Sequence, residues 1–363
     1  MLYHLLLSFK DQLDTLRVVE YVSVRTALSS LTAFALSLLL GPWFIRKLRA
    51  FQVGQVVRTD GPASHKPKAG TPTMGGVLIL TAVLLATWSW ADLTNEYIWI
   101  ATGSTLAFGA IGFVDDYLKV TRRSHHGLFA RYKFASQIIV AFGIGVALLS
   151  LAAQKPELYN TRLIFPFFKT LIPDLGWGYV LFAILVLVAA TNTVNLTDGL
   201  DGLAISTFAV SAVTYTALAY VTGHRAFAEY LNLVHFSPTA EITIFCGALV
   251  GASLGFLWWN AHPADIFMGD VGSLGLGGAL GTVAILTKQE LLLPIVGGVF
   301  VMEGASVILQ VVSFRFRGKR IFKMAPLHHH FELIGWKEPK IITRFVILAI
   351  IFAVMSLTTL KLR

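Results

Sequence analysis

The sequence predicts an all-α integral membrane protein of about ten spanning helices, and its composition and hydropathy are the observations that predict it. Of the 363 residues, 55% are hydrophobic and only 13% are charged. Soluble domains carry about a quarter of their residues as charges. The mean hydropathy is +0.70. A chain with so few charges and so many apolar residues is typical of a protein whose main solvent is a lipid bilayer.

Ten segments satisfy the rule that a spanning helix needs about 20 mostly apolar residues. In chain order they are 22–45, 74–91, 97–114, 134–153, 176–194, 200–221, 241–259, 271–287, 291–313 and 341–360. The fifth and sixth segments are separated only by "NTVNLTDGLDG", and we expect the helix to break at "TDG". We predict no separate soluble domain, so residues 1–363 form one polytopic membrane domain.

The distribution of Lys and Arg predicts how the chain is oriented. The first, third and ninth loops, together with the first turn of the last span, hold 19 of the 29 Lys and Arg residues, whereas the second loop, "ADLTNEY", holds none. Because cytoplasmic loops are enriched in these residues, the odd loops are predicted to face the cytoplasm and both termini the periplasm. We interpret the net charge of +9 as topological, with no nucleic-acid partner. Attraction of anionic lipid or substrate is a secondary role.

Two further features bound the protein. The single cysteine, Cys246, excludes an internal disulfide. The N-terminal segment has a short apolar stretch, mixed charges and no small-residue cleavage site, so we expect it to be retained rather than removed as a signal peptide.

The unusual polar residues all fall on odd loops, which places them at one predicted face of the membrane. They are Lys66, Lys68 and Thr73 in the first loop; Asp115 and Asp116 in the third; Asn192, Asn195, Asp198 and Asp201 in the fifth; Asn260, His262, Asp265 and Asp270 in the seventh; and Lys323, His328, His329, His330 and Glu332 in the ninth. The basic residues Lys119, Arg122 and Lys133 lie next to the acids of the third loop in the sequence. Loops that needed only to be soluble would scatter their acids over both faces. The pattern therefore predicts a site at the cytoplasmic face.

The acids in these loops suit a hard divalent cation. Oxygen-only ligands in a water-accessible cleft are typical of Mg²⁺, which also takes substrate phosphates as ligands. Adjacency at a membrane interface favours a cation or proton-transfer role for Asp115 and Asp116. For Asp198 and Asp201, each followed by glycine, helix capping remains an equal alternative. We expect Asp265, at a loop tip, to be a solvated acid.

Other polar residues leave alternatives open. Asn192 could line a cavity or form an amide hydrogen bond between helices. At "MGDVG", a helix N-terminus beside Asp270 could present N–H groups to phosphate. Three consecutive histidines cannot all point the same way on a helix, so one or two could donate to phosphate oxygens or shuttle a proton near neutral pH, with adventitious metal binding as the alternative. Glu303, within the ninth span, is expected to face a cavity or a cation, or to be paired structurally.

Acids for Mg²⁺ with nearby lysines are typical of phosphoryl transfer between a lipid and a soluble substrate.

Five motifs carry a resemblance to a known family. The segments "TPTMGG", "FVDDYLK", "NTVNLTDGLDGLA", "NAHPADIFMGDVGSLGLGGALG" and "APLHHHFE" resemble those of the bacterial phospho-N-acetylmuramoyl-pentapeptide transferases. This family belongs to the polyprenyl-phosphate N-acetylhexosamine-1-phosphate transferase superfamily. The resemblance extends from about residue 20 to the C-terminus. "APLHHHFE" and "TPTMGG" are more specific to the muramoyl branch than the paired acids are.

The resemblance implies a Mg²⁺-dependent reaction in the bacterial cytoplasmic membrane. UDP-N-acetylmuramoyl-pentapeptide and undecaprenyl phosphate would give lipid I and UMP, in the first membrane step of peptidoglycan synthesis. It also implies a bent ninth helix that opens a groove for the prenyl chain, and a homodimer.

Carried over to this chain, the resemblance implies roles for individual residues. Asp270 would be a Mg²⁺ ligand, Asp115 the base acting on the lipid phosphate, and Asp116 a support for the charges around the metal. Phe267 would stack on uracil. The predicted substrate-binding residues are Lys68, Thr73, Lys133, Asn195, Asp198, Asp201, Asn260, Phe267, His329 and His330.

Three questions stay open at the level of sequence. The lipid phosphate could attack the donor directly, which we favour, or an aspartate could first become phosphorylated. A sister transferase using a UDP-N-acetylglucosamine-type donor would have the same carboxylates, although "APLHHHFE" argues against it. An ion-coupled transporter usually has its site near the bilayer midplane in repeated halves, a pattern that this sequence lacks.

Overall fold

The computed structural model describes residues 1–10, 12, 14–51, 68, 70–122, 127–168 and 171–361. Arg58 and Lys66, counted above in the first loop, lie outside these residues. The helices are α1 Leu2–Ser8, α2 Val22–Ala50, α3 Gly76–Trp90, α4 Glu96–Thr121, α5 Ala130–Gln154, α6 Gly178–Thr197, α7 Leu203–Gly223, α8 Arg225–Leu231, α9 Thr239–Asn260, α10 Gly269–Leu286, α11 Leu293–Val296, α12 Gly298–Arg317, α13 Leu327–Leu333 and α14 Glu338–Thr358. Within the described ranges there is no β-strand, and Arg162 and Asp174 form an isolated antiparallel bridge. The all-α prediction is confirmed.

The number of spans needs one correction. Nine of the described helices are long and apolar enough to cross a bilayer, namely α2, α4, α5, α6, α7, α9, α10, α12 and α14. The second predicted span, 74–91, corresponds to α3, which is apolar but has only 15 residues. At about 1.5 Å per residue it is shorter than a hydrocarbon core of roughly 30 Å.

The helix α3 is short because the residues before it pair with another segment. The N–H of Gly75 donates to the carbonyl of Phe267 at 2.9 Å, and the N–H of Phe267 donates to the carbonyl of Pro72 at 2.8 Å. Hydropathy alone does not reveal this pairing, which satisfies backbone groups outside a helix. It also joins the first loop to the segment that precedes α10.

Helix α10 lies at the centre of the bundle. Every residue from Val271 to Leu286 is buried, and the helix packs against α3, α4 and α6. In contrast, the outer faces of α2 and α5 leave large apolar side chains exposed, with Leu39 at 74% and Ile139 at 69%. Apolar surface of this extent is stable in contact with lipid rather than water. The arrangement is that of a multi-pass membrane protein.

The expected break at "TDG" is present between α6 and α7. Asp198 is the C-terminal cap residue of α6, and Gly202, with φ +77°, precedes α7 in the left-handed region. No side chain caps the N-terminus of α7. Capping of α7 by Asp201 is therefore wrong, because its carboxylate bonds elsewhere, as described below.

Glycines allow α3 and α4 to approach α10 backbone to backbone. A Cβ atom added at Gly112 would lie 2.0 Å from the carbonyl oxygen of Asp270, and one added at Gly76 would lie 2.0 Å from the backbone nitrogen of Gly272. Small residues are the usual means by which membrane helices come this close. The contact brings the end of α4, which carries two acids, to the start of α10, which carries a third.

We expect Gly112→Ala to lower the Tm and the activity of the detergent-purified protein. The added methyl group meets a backbone atom that cannot rotate away, and overpacking of this kind costs about 1–3 kcal/mol. Gly103→Ala, on the same helix, is the matched control, because its Cβ would meet nothing within 4 Å. Equal Tm values for the two variants would contradict the close packing of α4 on α10.

Candidate active site

Three carboxylates meet where α4 ends and α10 begins. Asp115 and Asp116 lie near the C-terminal end of α4, and Asp270 lies in the first turn of α10. One oxygen atom from each carboxylate lies within 4.8 Å of the others. Asp115 and Asp116 are each 3% exposed, whereas Asp270 is half-buried. The structure thus brings together the three residues that the sequence predicted to be catalytic.

Backbone donors hold the two acids of α4 in place. The N–H of Leu128 donates to Asp115 Oδ1 at 2.7 Å, and the N–H of Val271 donates to Asp116 Oδ2 at 3.1 Å. The second bond satisfies an N–H at the start of α10, where negative charge is favoured. Gly269 has φ +72°, and a Cβ there would lie 2.5 Å from Asp116 Oδ2. Glycine is required at position 269 for both reasons.

Two lysines neutralise much of this negative charge. Lys119 Nζ lies 2.6 Å from Asp115, 3.3 Å from Asp116 and 2.8 Å from Asp270, and Lys133 Nζ lies 2.6 Å from Asp270. Carboxylates this close repel one another unless cations lie between them. Three acids and two ammonium groups still leave one net negative charge. Lys133 was predicted to bind substrate, whereas Lys119 was predicted only as a basic residue next to the acids.

Helix α6 contributes two asparagines with different partners. Asn195 Nδ2 donates to Asp270 Oδ1 and to Ser273 Oγ, both at 2.8 Å. Asn192 Nδ2 donates to Gln137 Oε1 on α5 at 2.6 Å. Asn195 therefore supports the acid cluster, whereas Asn192 forms the amide contact between helices that the sequence left as one alternative.

Asp198 stands at the end of α6, facing the same acids. Burial, together with the negative charges of Asp270, Asp116 and Asp201, raises the pKa of Asp198 to about 8. In this arrangement of charges the carboxyl group is mostly protonated at neutral pH. It can then donate a hydrogen bond as well as accept one, which an ionised aspartate cannot do.

A second charged cluster lies beside the turn between α6 and α7. Lys68 Nζ lies 2.7 Å from Asp201 Oδ1 and 2.6 Å from Glu338 Oε1. His262 Nδ1 lies 3.1 Å from Asp201 Oδ2. Glu338 is not among the site residues predicted from the sequence. An acid at the start of a helix, followed by proline, is the ordinary pattern of a helix N-terminus, so no signal in the sequence marks it as part of a site.

Other predicted binding residues occupy the loop before α10. Asn260 is buried; its Oδ1 accepts from the N–H of Gly202 at 3.0 Å, and its Nδ2 donates to the carbonyl of Ile266 at 2.8 Å. Both ends of this amide thus brace the backbone around the site. Thr73 Oγ1 lies 3.0 Å from the position of a Cβ at Gly269. Asp265 is exposed, as expected for a solvated acid.

The three histidines of the ninth loop point to three different partners. His328 is fully buried, with Nδ1 3.2 Å from Glu303 Oε1. His329 Nδ1 lies 2.7 Å from Glu332 Oε2, and His330 Nδ1 accepts from the N–H of Lys323 at 3.1 Å. Glu303 is therefore paired structurally, the second of the two alternatives.

His328 also places α13 beside the turn that carries Asp198. A Cβ at Gly199 would lie 2.2 Å from His328 Nε2, so the imidazole packs directly on the glycine. The N–H of Leu327 donates to Glu303 Oε2 at 2.7 Å, which fixes the start of α13 to α12. His329 and His330 are thereby held on a helix that contacts the site.

Comparison with known proteins gives a consistent result. Residues 98–288 match the model of glycosyl transferase family 4, and residues 68–80 match the first signature of the phospho-N-acetylmuramoyl-pentapeptide-transferases. The phospho-N-acetylmuramoyl-pentapeptide-transferase of Desulfatibacillum aliphaticivorans is 60% identical, with 100% of both chains covered. The chain belongs to the phospho-N-acetylmuramoyl-pentapeptide-transferase family. The members from Koribacter versatilis, 55% identical over 96% of this chain and 95% of the relative, and Syntrophus aciditrophicus, 51% identical over 100% of both, agree with this.

The matched regions coincide with the site. The segment 98–288 includes all three carboxylates of the first cluster, and the family signature at 68–80 includes Lys68 and Thr73. The sequence-level resemblance to the phospho-N-acetylmuramoyl-pentapeptide-transferase family is confirmed.

Proposed function

We propose that this protein transfers phospho-N-acetylmuramoyl-pentapeptide from UDP-N-acetylmuramoyl-pentapeptide to undecaprenyl phosphate, giving lipid I and UMP in peptidoglycan synthesis. The observation that carries the proposal is the meeting of Asp115, Asp116 and Asp270 with Lys119 and Lys133 at one end of a membrane helix bundle. Phosphoryl transfer depends mainly on positioning and charge neutralisation, and this cluster provides both. Full-length similarity to family members that carry this name supports the choice of substrates.

The donor atoms fit Mg²⁺. They are carboxylate oxygens alone, close enough to share one cation, and the ammonium group of Lys119 already lies within 3.3 Å of all three carboxylates. Oxygen ligands of this kind suit a hard divalent ion. Asp270, the most exposed of the three, would hold the metal, with Asp115 and Asp116 beside it. The bound ion would supply positive charge to the phosphates of the two substrates.

The side chains then have distinct tasks in a direct displacement. An oxygen of the lipid phosphate forms a bond to the donor phosphorus attached to the sugar, and the bond from that phosphorus to the bridging oxygen breaks, releasing UMP. Asp115 takes the proton when the lipid phosphate arrives as a monoanion. Lys133 neutralises phosphate charge, and Asn195 keeps Asp270 oriented. Phe267 stacks on uracil, and Lys68, Thr73, Asp198, Asp201, Asn260, His329 and His330 form the rest of the donor pocket.

The acceptor is proposed to bind along α12. The predicted ninth span is divided into α11 and α12 at Gly297. A cavity of about 670 Å³ lies beside α12; Val307, Val311 and Phe314 form part of its wall, and Arg315, Arg320 and Lys323 also line it. Apolar side chains next to cations suit a prenyl chain that ends in a phosphate.

The proposed setting is the bacterial cytoplasmic membrane, with both termini periplasmic and the site facing the cytoplasm. The Lys- and Arg-rich odd loops support this orientation, and the contacts between residues of the first, third, fifth and seventh loops place them at one end of the bundle. We also propose that the protein is a homodimer, as the family resemblance implies.

The two rival functions have less support. A sister transferase would use a UDP-N-acetylglucosamine-type donor, but residues 68–80 match the muramoyl family signature. A transporter would place its ionisable residues near the middle of the membrane, whereas Asp115, Asp116 and Asp270 lie at helix ends.

We expect the purified protein in detergent to form a labelled lipid from undecaprenyl phosphate and radiolabelled UDP-N-acetylmuramoyl-pentapeptide when Mg²⁺ is present. Removing the divalent cation with EDTA should abolish the product, and restoring Mg²⁺ should recover it. A UDP-N-acetylglucosamine donor is the control for the sister reaction. Absence of the labelled lipid, or equal turnover in EDTA, would refute the proposed function.

Asp270→Asn should reduce turnover by roughly a hundredfold or more, because it removes a charge placed for the transition state. The protein should still insert and purify normally. Asp265→Asn is the matched control, since Asp265 is an exposed acid on the preceding loop with Arg49 3.7 Å away; its turnover should match that of the unmodified protein. Near-normal activity of Asp270→Asn at ordinary Mg²⁺ would remove Asp270 from the metal site.

Direct displacement predicts that the protein alone does not become phosphorylated. Donor labelled in the phosphate attached to the sugar would be incubated with the protein and Mg²⁺ without lipid acceptor, and the denatured protein then examined for label. We expect label only in the lipid product after acceptor is added. Covalent label on the protein, lost when acceptor is supplied before denaturation, would establish the two-step route instead.

A further inference from the structure

One buried carboxylate joins three separate segments of the donor pocket. Glu338 is the first residue of α14, and its side chain is 7% exposed. Its Oε1 accepts from Lys68 Nζ at 2.6 Å and from the backbone N–H of Asp201 at 2.7 Å. Its Oε2 lies 3.5 Å from His262 Nδ1. The three partners belong to the first, fifth and seventh loops, which are far apart in sequence.

Asp201 strengthens the same junction. Its Oδ1 lies 2.7 Å from Lys68 Nζ, and its Oδ2 accepts from the N–H of Ala264 at 3.2 Å. Lys68 is thus held between two buried carboxylates, with its ammonium group fixed by two charge-assisted hydrogen bonds. A free lysine samples many rotamers on its four-carbon stem. Here the position of the ammonium group is determined by Glu338 and Asp201 together.

Each joined segment carries a residue of the proposed donor pocket. Lys68 precedes Thr73 in the first loop, Asp201 follows Asp198 in the turn after α6, and His262 precedes Phe267 in the loop before α10. Glu338 itself belongs to α14, outside the region 98–288 that matches the family model. The contacts therefore tie the last membrane helix to the pocket through one side chain.

We propose that Glu338 is a positioning residue for the UDP-linked donor, acting by fixing the ammonium group of Lys68. This inference rests on the proposed function, since it takes Lys68 as a donor-binding group. Glu338 does not touch the acid cluster of Asp115, Asp116 and Asp270 in any contact described above. Its loss should therefore weaken donor binding while leaving the chemical step largely intact.

Glu338→Gln tests this directly. The amide keeps the size of the side chain but loses the charge that orients Lys68, so we expect the donor KM to rise roughly tenfold. The donor Kd, measured by titration calorimetry without acceptor, should rise with it. We expect kcat and the KM for undecaprenyl phosphate to change little. Glu338→Asp retains the charge and should recover part of the donor affinity.

The matched control is Glu229→Gln, an exposed glutamate on α8 paired with Arg225, which should leave all three constants unchanged. A merely structural role for Glu338 predicts a lower Tm, a lower kcat and higher KM values for both substrates. That result, or an unchanged donor KM in Glu338→Gln, would overturn the inference. If the unmodified protein forms no lipid product, the proposed function fails instead.

A double-mutant cycle with Lys68→Met identifies the route of the effect. If Glu338 acts through Lys68, adding Glu338→Gln to Lys68→Met should change the donor KM by less than about twofold. If the fold-changes in donor KM from the two substitutions multiply in the double variant, Glu338 acts on the donor independently of Lys68. That result would overturn the positioning role.

Discussion

The constraint on which the rest of the structure depends is the assembly of three carboxylates at the buried start of α10. Two of them are almost inaccessible to water, where an unpaired negative charge is costly. The arrangement is stable because Lys119 bridges all three, because the N–H groups of Leu128 and Val271 bind Asp115 and Asp116, and because glycine at 112 and 269 lets α4 and α10 touch. The same residues therefore determine both the packing of these helices and the geometry of the site.

The second charged cluster is stabilised in the same way, by a lysine shared between buried carboxylates, but it contains fewer groups. Two buried carboxylates, Asp201 and Glu338, share one ammonium group from Lys68. The turn between α6 and α7 lies between the two clusters and carries Asp198, whose raised pKa reflects burial and then the acids of both. A charge added to either cluster would therefore shift the pKa of Asp198, which lies between them.

Hydropathy and charge predict the helices, the break after Thr197 and the grouping of the acids at one end of the helices, because these depend on local composition and on which end of a helix a residue occupies. The choice of Asp115, Asp116 and Asp270 among those acids came from the family resemblance. The sequence could not predict the short α3, which depends on backbone pairing with Phe267. Nor could it predict Glu338 or the burial of His328 against Glu303. Those features depend on which loops meet in space, and side-chain types alone do not encode that.

The charges of the two clusters also support the proposed dependence on a divalent cation. Together they contain five carboxylates, those of Asp115, Asp116, Asp201, Asp270 and Glu338. They contain three ammonium groups, those of Lys68, Lys119 and Lys133. Counted as formal charges, these groups leave two net negative charges in the region that would receive a pyrophosphate and a lipid phosphate. Like charges in a partly buried site repel strongly. These side chains alone would therefore repel the phosphates of both substrates. A bound divalent cation is the simplest source of the positive charge that would attract them.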